Sequence, residues 1–107
     1  MSFNRWGYEF DELYSRPDYL QNAPGVYVVW CAGNDDFSVL DVGQSDNVKV
    51  RLLSHERSTC WFSNCMKDAV RYSATYTHNL PEGERIRIEQ FIRQQAKPVC
   101  SEHLLIG

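Results

Sequence analysis

The sequence predicts an α+β fold: a three-stranded, mainly antiparallel sheet flanked by helices, in the order ββαβα. Three observations carry that reading. Two apolar, β-branched and aromatic runs, "GVYVVWC" and "SVLDVG", flank the short polar stretch "AGNDDF". "AVRYSATYT" alternates apolar and polar residues as a strand does. Two further segments, one after Gly43 and one after Pro81, repeat apolar residues at helical spacing.

The opening stretch, residues 1–22, is aromatic-rich. Phe10, Leu13 and Tyr14 fit a short amphipathic turn of helix ending before Pro17, which with Trp6 and Tyr8 would lie across the core as a brace. Residues 25–31 are bounded by Pro24–Gly25 and Gly33–Asn34 and read as a buried strand. The run ending at Gly43 is a second strand, joined to the first as a hairpin. Ser45, Asp46 or Asn47 can cap the next helix, which is expected to run to about Arg57. Val48, Arg51, Leu52 and His55 share one arc of that helix, while Lys49 and Val50 point elsewhere. "TCWFSNCMKD" reads as a loop or as an extension of the helix. Residues 69–77 form the third strand, with Val70, Tyr72, Ala74 and Tyr76 on one face. Pro81 suits the first turn of the last helix, with Glu82 and Glu84 near its positive end. Ile88, Phe91, Ile92 and Gln95 form its inward stripe, Glu89 flanks the stripe, and Pro98 stops the helix.

A chain of 107 residues is one domain with a modest core, here a brace at 1–22 and a core at 23–101. Residues 1–42 hold two basic and seven acidic side chains, a net of minus five; residues 43–107 hold nine basic and seven acidic, a net of plus two. The total of minus three argues against indiscriminate polyanion binding but leaves room for a local basic face. No apolar run approaches the roughly 18 residues of a membrane helix, and "MSFNRWGYEF" lacks a signal peptide's apolar stretch, so no membrane partner and a cytoplasmic location are expected. The four cysteines, Cys31, Cys60, Cys65 and Cys100, contain no CxxC pair. A zinc site from His55, Cys60, Cys65, Cys100 and His103 has unsuitable spacing, and reduced, buried thiols are expected instead.

In this setting several short patterns fall in a telling order. "GVY" at 25–27 and "DVG" at 41–43 resemble the two halves of the name motif of the GIY-YIG nuclease superfamily, with Asp41 where that family usually has tyrosine. "QSDNVKVRL" is similar to the family's helix carrying the catalytic arginine, here Arg51, with His55 four residues on. "RIEQFIRQQAKPVCS" resembles the C-terminal helix with the metal-binding glutamate, here Glu89, and the following proline, Pro98; the asparagine that often closes that motif is replaced around Ser101. The resemblance spans roughly residues 22–101.

That resemblance implies a metal-dependent endonuclease cutting phosphodiester bonds in DNA. Glu89 would hold one Mg²⁺ or Mn²⁺. Arg51 would bind the non-bridging phosphate oxygens as a planar, permanent cation. Tyr27 would orient or deprotonate the attacking water, and His55, with an ordinary pKa near neutrality, would share that proton. Lys49 and Ser45 are further candidates for contact with the nucleic acid. Asp41 is the open position: it helps Glu89 hold the cation, or it pairs with Arg51 and weakens catalysis. Taken singly, these residues also have plain structural uses, such as packing for Tyr27, an ion pair of Arg51 with Glu56, Asp41 or Glu89, and a helix pair of Glu89 with Arg93. The alternative function is therefore a catalytically degenerate domain that binds a nucleic acid or a protein without cutting.

Overall fold

The computed structural model describes residues 1–100. Three strands, β3 (Gly25–Ala32), β4 (Phe37–Ser45) and β5 (Val70–Tyr76), form an antiparallel sheet in the order β4–β3–β5. The sheet, the helices after β4 and the helix after β5 follow the expected ββαβα order and α+β class. Two short strands, β1 (Phe3–Arg5) and β2 (Tyr8–Phe10), precede it as a separate hairpin.

That hairpin replaces the expected helical turn at 10–14. Trp6 and Gly7 both have positive φ, 54° and 86°, which makes the two-residue turn a tight antiparallel hairpin demands. Phe3, Trp6, Tyr8 and Phe10 then pack with Val26, Val28, Trp30, Val42, Ile88 and Ile92 on one face of the sheet. Past the hairpin the chain follows the outer edge of β5. Asp11 and Ala74 exchange one backbone bond, Tyr14 and Tyr72 exchange two, and the Asp11 carboxylate accepts from Ala74 N and Tyr76 Oη. The brace is thus an edge cover, satisfying backbone groups that would otherwise invite another chain.

Successive residues of β3 serve opposite faces. Val26, Val28 and Trp30 face the hairpin and α3 (Glu82–Ala96), while Tyr27 and Val29 face α1 (Val48–Leu53) and α2 (Ser58–Asn64). Register is broken once: Val29 pairs with Asp41 and Trp30 with Val39, leaving Leu40 as the extra residue of a bulge. The bulge turns both Leu40 and Asp41 toward the α1–α2 side. Without it, strict alternation would send one of them to the opposite face.

Helix α1 is capped by Asn47, whose side chain accepts from Val50 N at 3.2 Å. Six residues cannot hold a helix in water alone. Burial of Val48 and Leu52 supplies the stability, at about 1.5–3 kcal/mol for each side chain. The helix ends at Ser54 instead of running to Arg57, and "STCWFSN" forms α2 as a separate element. In α3, Ile88 and Ile92 face inward as expected, but Phe91 and Gln95 are exposed. Their expected place is taken by Arg85, Glu89 and Arg93, a row at i, i+4, i+8 that is buried against β4.

The expected reduced thiols are corrected here. Cys31 is bonded to Cys65, with Cα atoms 5.8 Å apart, and Cys60 to Cys100, with Cα atoms 6.0 Å apart. Sequence separations of 34 and 40 hide this proximity, which arises because α2 lies between β3 and the segment after α3. His103 and Ser101 lie outside the described residues. Among the described residues no helix is long and apolar enough to cross a membrane.

Loops of this size correspond to on the order of 4 kcal/mol of chain-entropy stabilisation for each disulfide. Thiol titration of the unreduced protein in denaturant should therefore find no free cysteine. Reduction should lower the unfolding midpoint markedly, and four reactive thiols before reduction would overturn the pairing.

Candidate active site

Tyr27 sits opposite Gly43 on β4 and Ala74 on β5, at the centre of the sheet. Its ring passes directly over Gly43: a Cβ added there would lie 2.2 Å from the phenol oxygen and 2.4 Å from Cζ. Only glycine lets the phenol reach across β4, which gives the spacing of "GVY" and "DVG" a steric reason.

The phenol edges a polar cleft of about 460 Å³. Gly43, Gln44 and Ser45 of β4 form its floor, Arg51 of α1 and Arg57 form one wall, and Arg85 and Glu89 of α3 form the other. Asp46 and Glu82 stand at the exposed rim. Tyr27, Arg51, Glu89 and Ser45 are thus gathered from four separate elements. Lys49 is not among the lining residues; its backbone N–H donates to Gln21 O, beside the N-terminal segment.

His55 stands behind Tyr27, in the turn between α1 and α2. Its Nδ1 accepts the backbone N–H of Arg57 at 3.0 Å. The neutral ring therefore carries its proton on Nε2 and donates it to the Tyr27 oxygen at 2.6 Å. Burial, and then the charges of Arg57 and Arg51, push the His55 pKa down to about 3. The expected proton-sharing base is corrected accordingly: at neutral pH His55 is an uncharged donor. Tyr27 is pushed up to about 12, burial being the main cause, although Arg51 draws it down by charge and by a hydrogen bond. With His55 donating to its oxygen, the phenol's own proton is the one available to a ligand in the cleft.

Asp41 does neither of the things expected of it. Its side chain is fully buried beneath the cleft, away from Glu89, and Arg51 pairs instead with Glu56 at 3.1 Å. The Asp41 carboxylate accepts from Arg57 Nε at 2.9 Å, Arg57 Nη2 at 3.2 Å, Trp61 Nε1 at 2.8 Å and its own neighbour Val42 N at 2.9 Å. It is a positioning residue for Arg57. On the far wall, Arg93 holds the Oε2 of Glu89 at 2.5 Å and donates to Val42 O at 2.6 Å. Arg85 donates to Gln44 Oε1 at 2.7 Å.

Arg57, Arg85 and Gln44 were not singled out from the sequence. For Arg85 the signal existed in the i, i+4, i+8 row with Glu89 and Arg93. Arg57 gave none, because its position depends on the helix break at Ser54. No protein-family model, curated protein or solved structure matches the chain.

Two outcomes follow from these contacts. Asp41→Asn places an amide among donors and removes the charge with which Arg57 and the Trp61 indole are paired, so unfolding in urea should show a loss of about 3–5 kcal/mol, the scale of breaking a buried pair. A variant as stable as the wild type would refute the clamp. For His55, the unfolded ring takes up its proton below its ordinary value of 6.5 while the folded ring resists until about 3. Its contribution is therefore level above pH 6.5 and declines as pH falls below it, at up to about 1.4 kcal/mol per pH unit. Urea midpoints at pH 7, 6 and 5 should show this decline, and His55→Gln should flatten it.

Proposed function

We propose that this chain is a metal-dependent endonuclease of the GIY-YIG type, hydrolysing phosphodiester bonds in DNA. The observation that carries the reading is the meeting of Tyr27, Arg51 and Glu89 in one polar cleft, with Arg57 and Arg85 added around it. The ordered motifs quoted above point to the same three residues.

A phosphodiester in the cleft meets guanidinium groups on both walls. Arg51 supplies a fixed, planar fork of donors to the non-bridging oxygens, where negative charge grows as the water attacks, and Arg57, whose Nε and Nη2 are held by Asp41, adds positive charge to the same wall. On the floor, Gln44, whose Oε1 is taken by Arg85, adds a neutral amide donor for the flanking backbone, while the Ser45 hydroxyl donates to Asn47 O. The Tyr27 phenol, protonated at neutral pH and held by His55, orients the water or a phosphate oxygen through its own proton. Asp41 keeps Arg57 in place without itself facing the phosphate, which removes the repulsion a carboxylate in the family's second tyrosine position would otherwise cause.

The residues fit a water-rich Mg²⁺ or Mn²⁺. Glu89 offers one carboxylate on the wall, and magnesium is held by one or two carboxylates with waters and substrate oxygens completing its shell. Bound there, the ion would supply Lewis-acid stabilisation and a more acidic water. Among the described residues no group of three or more His, Cys, Asp or Glu forms a protein-only cage. One observation favours the second reading, a module that binds nucleic acid without cutting: Arg93 already neutralises Glu89. The two disulfides favour an oxidising compartment over the cytoplasm expected from composition.

The test is cleavage of labelled DNA with Mg²⁺ or Mn²⁺. Arg51→Ala should lower kcat by about 10²–10³, the loss typical of one donor to a developing oxyanion. Glu89→Gln, which keeps a partner for Arg93, should abolish metal-dependent turnover while leaving binding. Binding by all variants with cleavage by none would select the binding module.

A further inference from the structure

A second cavity, of about 380 Å³, lies on the other side of His55. The His55–Tyr27 hydrogen bond is the partition between the two spaces. The cavities differ in chemistry. The second has an aromatic and aliphatic interior, built on buried Trp61 and walled by Phe62 and Leu53, which are 40% and 55% exposed. His55 and Trp61 stack obliquely with ring centroids 4.8 Å apart, and Trp61 meets Phe62 edge-on at 6.4 Å. Lys67 and Arg16 line the groove, with the Lys67 ammonium 5.8 Å from the Phe62 ring centroid. Arg16 is paired with Asp18, which is not a lining residue. Among the described residues no carboxylate lines this groove, although the chain as a whole is acidic.

We infer that this groove takes an unpaired nucleobase of the strand whose phosphate occupies the polar cleft. The inference rests on the nuclease reading and names its substrate class: DNA with a single-stranded or extruded base at the cutting site, in preference to continuous duplex. Three features select that occupant. The groove offers exposed aromatic surface, which stacks any base regardless of sequence. It offers cations and no carboxylate to a chain that carries a phosphate at every residue. It is also separated from the phosphate cleft by a single pair of side chains. A base still stacked in duplex DNA cannot enter a side cavity of this kind without leaving the helix.

The test uses the full chain, with metal chelated so that nothing is cut. Two single-stranded oligonucleotides are compared by fluorescence anisotropy, one with 2-aminopurine at the central position and one abasic there. A continuous duplex is the third arm. The base-bearing strand should bind on the order of tenfold more tightly than the abasic one, the scale of one aromatic stack. Its 2-aminopurine fluorescence should be quenched on binding. Phe62→Ala should erase the difference between the two strands, and Phe62→Tyr should keep it. Equal affinity of the two strands for the wild type, or an equal loss on both in Phe62→Ala, overturns the base site. In that case metal-dependent cleavage would still uphold the nuclease reading. Absence of binding to any of the three DNAs overturns both. Quenching of the groove by an apolar peptide but not by DNA would assign it to a protein partner and overturn the base site alone.

Discussion

A fully buried carboxylate, that of Asp41, accepts four hydrogen bonds from three residues and sets the geometry of everything on its side of the sheet. An unpaired charge in that position would be prohibitive, so the arginine and indole donors are required wherever the strand bulge puts Asp41. Holding Arg57 and Trp61 fixes the start of α2 and with it the end of the turn that leads from α1. The backbone N–H of Arg57 then fixes the tautomer of His55, and His55 fixes the Tyr27 phenol. A chain of three contacts among four residues therefore runs from a buried aspartate to the edge of the cleft. The disulfides through Cys60 and Cys65 tie down the same short helix covalently.

The opposite wall is built on the same principle with the signs exchanged. Glu89 and Arg93 are both nearly buried and satisfy each other, and Arg93 also takes the Val42 carbonyl on β4. Arg85 is steered to the cleft by Gln44. A chain of net charge minus three thus presents Arg51, Arg57 and Arg85 around one space. Net charge governs long-range behaviour, whereas the field inside a cleft depends on which few side chains line it.

Much of this was legible in the residues themselves. The strand runs, a helix cap among Ser45, Asp46 and Asn47, the apolar pair Val48 and Leu52, and the alternation of Val70, Tyr72 and Ala74 all reflect local signals that burial then rewards. Tyr27, Arg51 and Glu89 were singled out by ordered motifs, and the steric closeness of Tyr27 to Gly43 supplies a reason for two of those motifs being linked. The misreadings have a common origin. Phe91 and Gln95 looked inward because they continued an apolar stripe, yet the buried row is Arg85, Glu89 and Arg93, whose burial is offset by partners that include Gln44 and Val42 on β4 and one another. Lys49 looked basic and available, but it lies beside the N-terminal segment.

What the sequence determined by itself was the class of fold and the order of the three sheet strands and of the helices that follow β4 and β5. These follow from interactions between neighbours in the chain: period-two and period-3.6 burial, caps and glycine turns. Only the tertiary structure decided which carboxylate faces the cleft and which is buried beneath it, that the thiols are paired, and that His55 is a neutral donor. Those outcomes depend on contacts between residues 16 to 51 positions apart, from Asp41 with Arg57 at 16 to Val42 with Arg93 at 51, with the Tyr27–His55 and cysteine pairs between them. A single bulge at Leu40 changes which of these contacts can form, because one extra residue in a strand changes the face on which the next side chain lies.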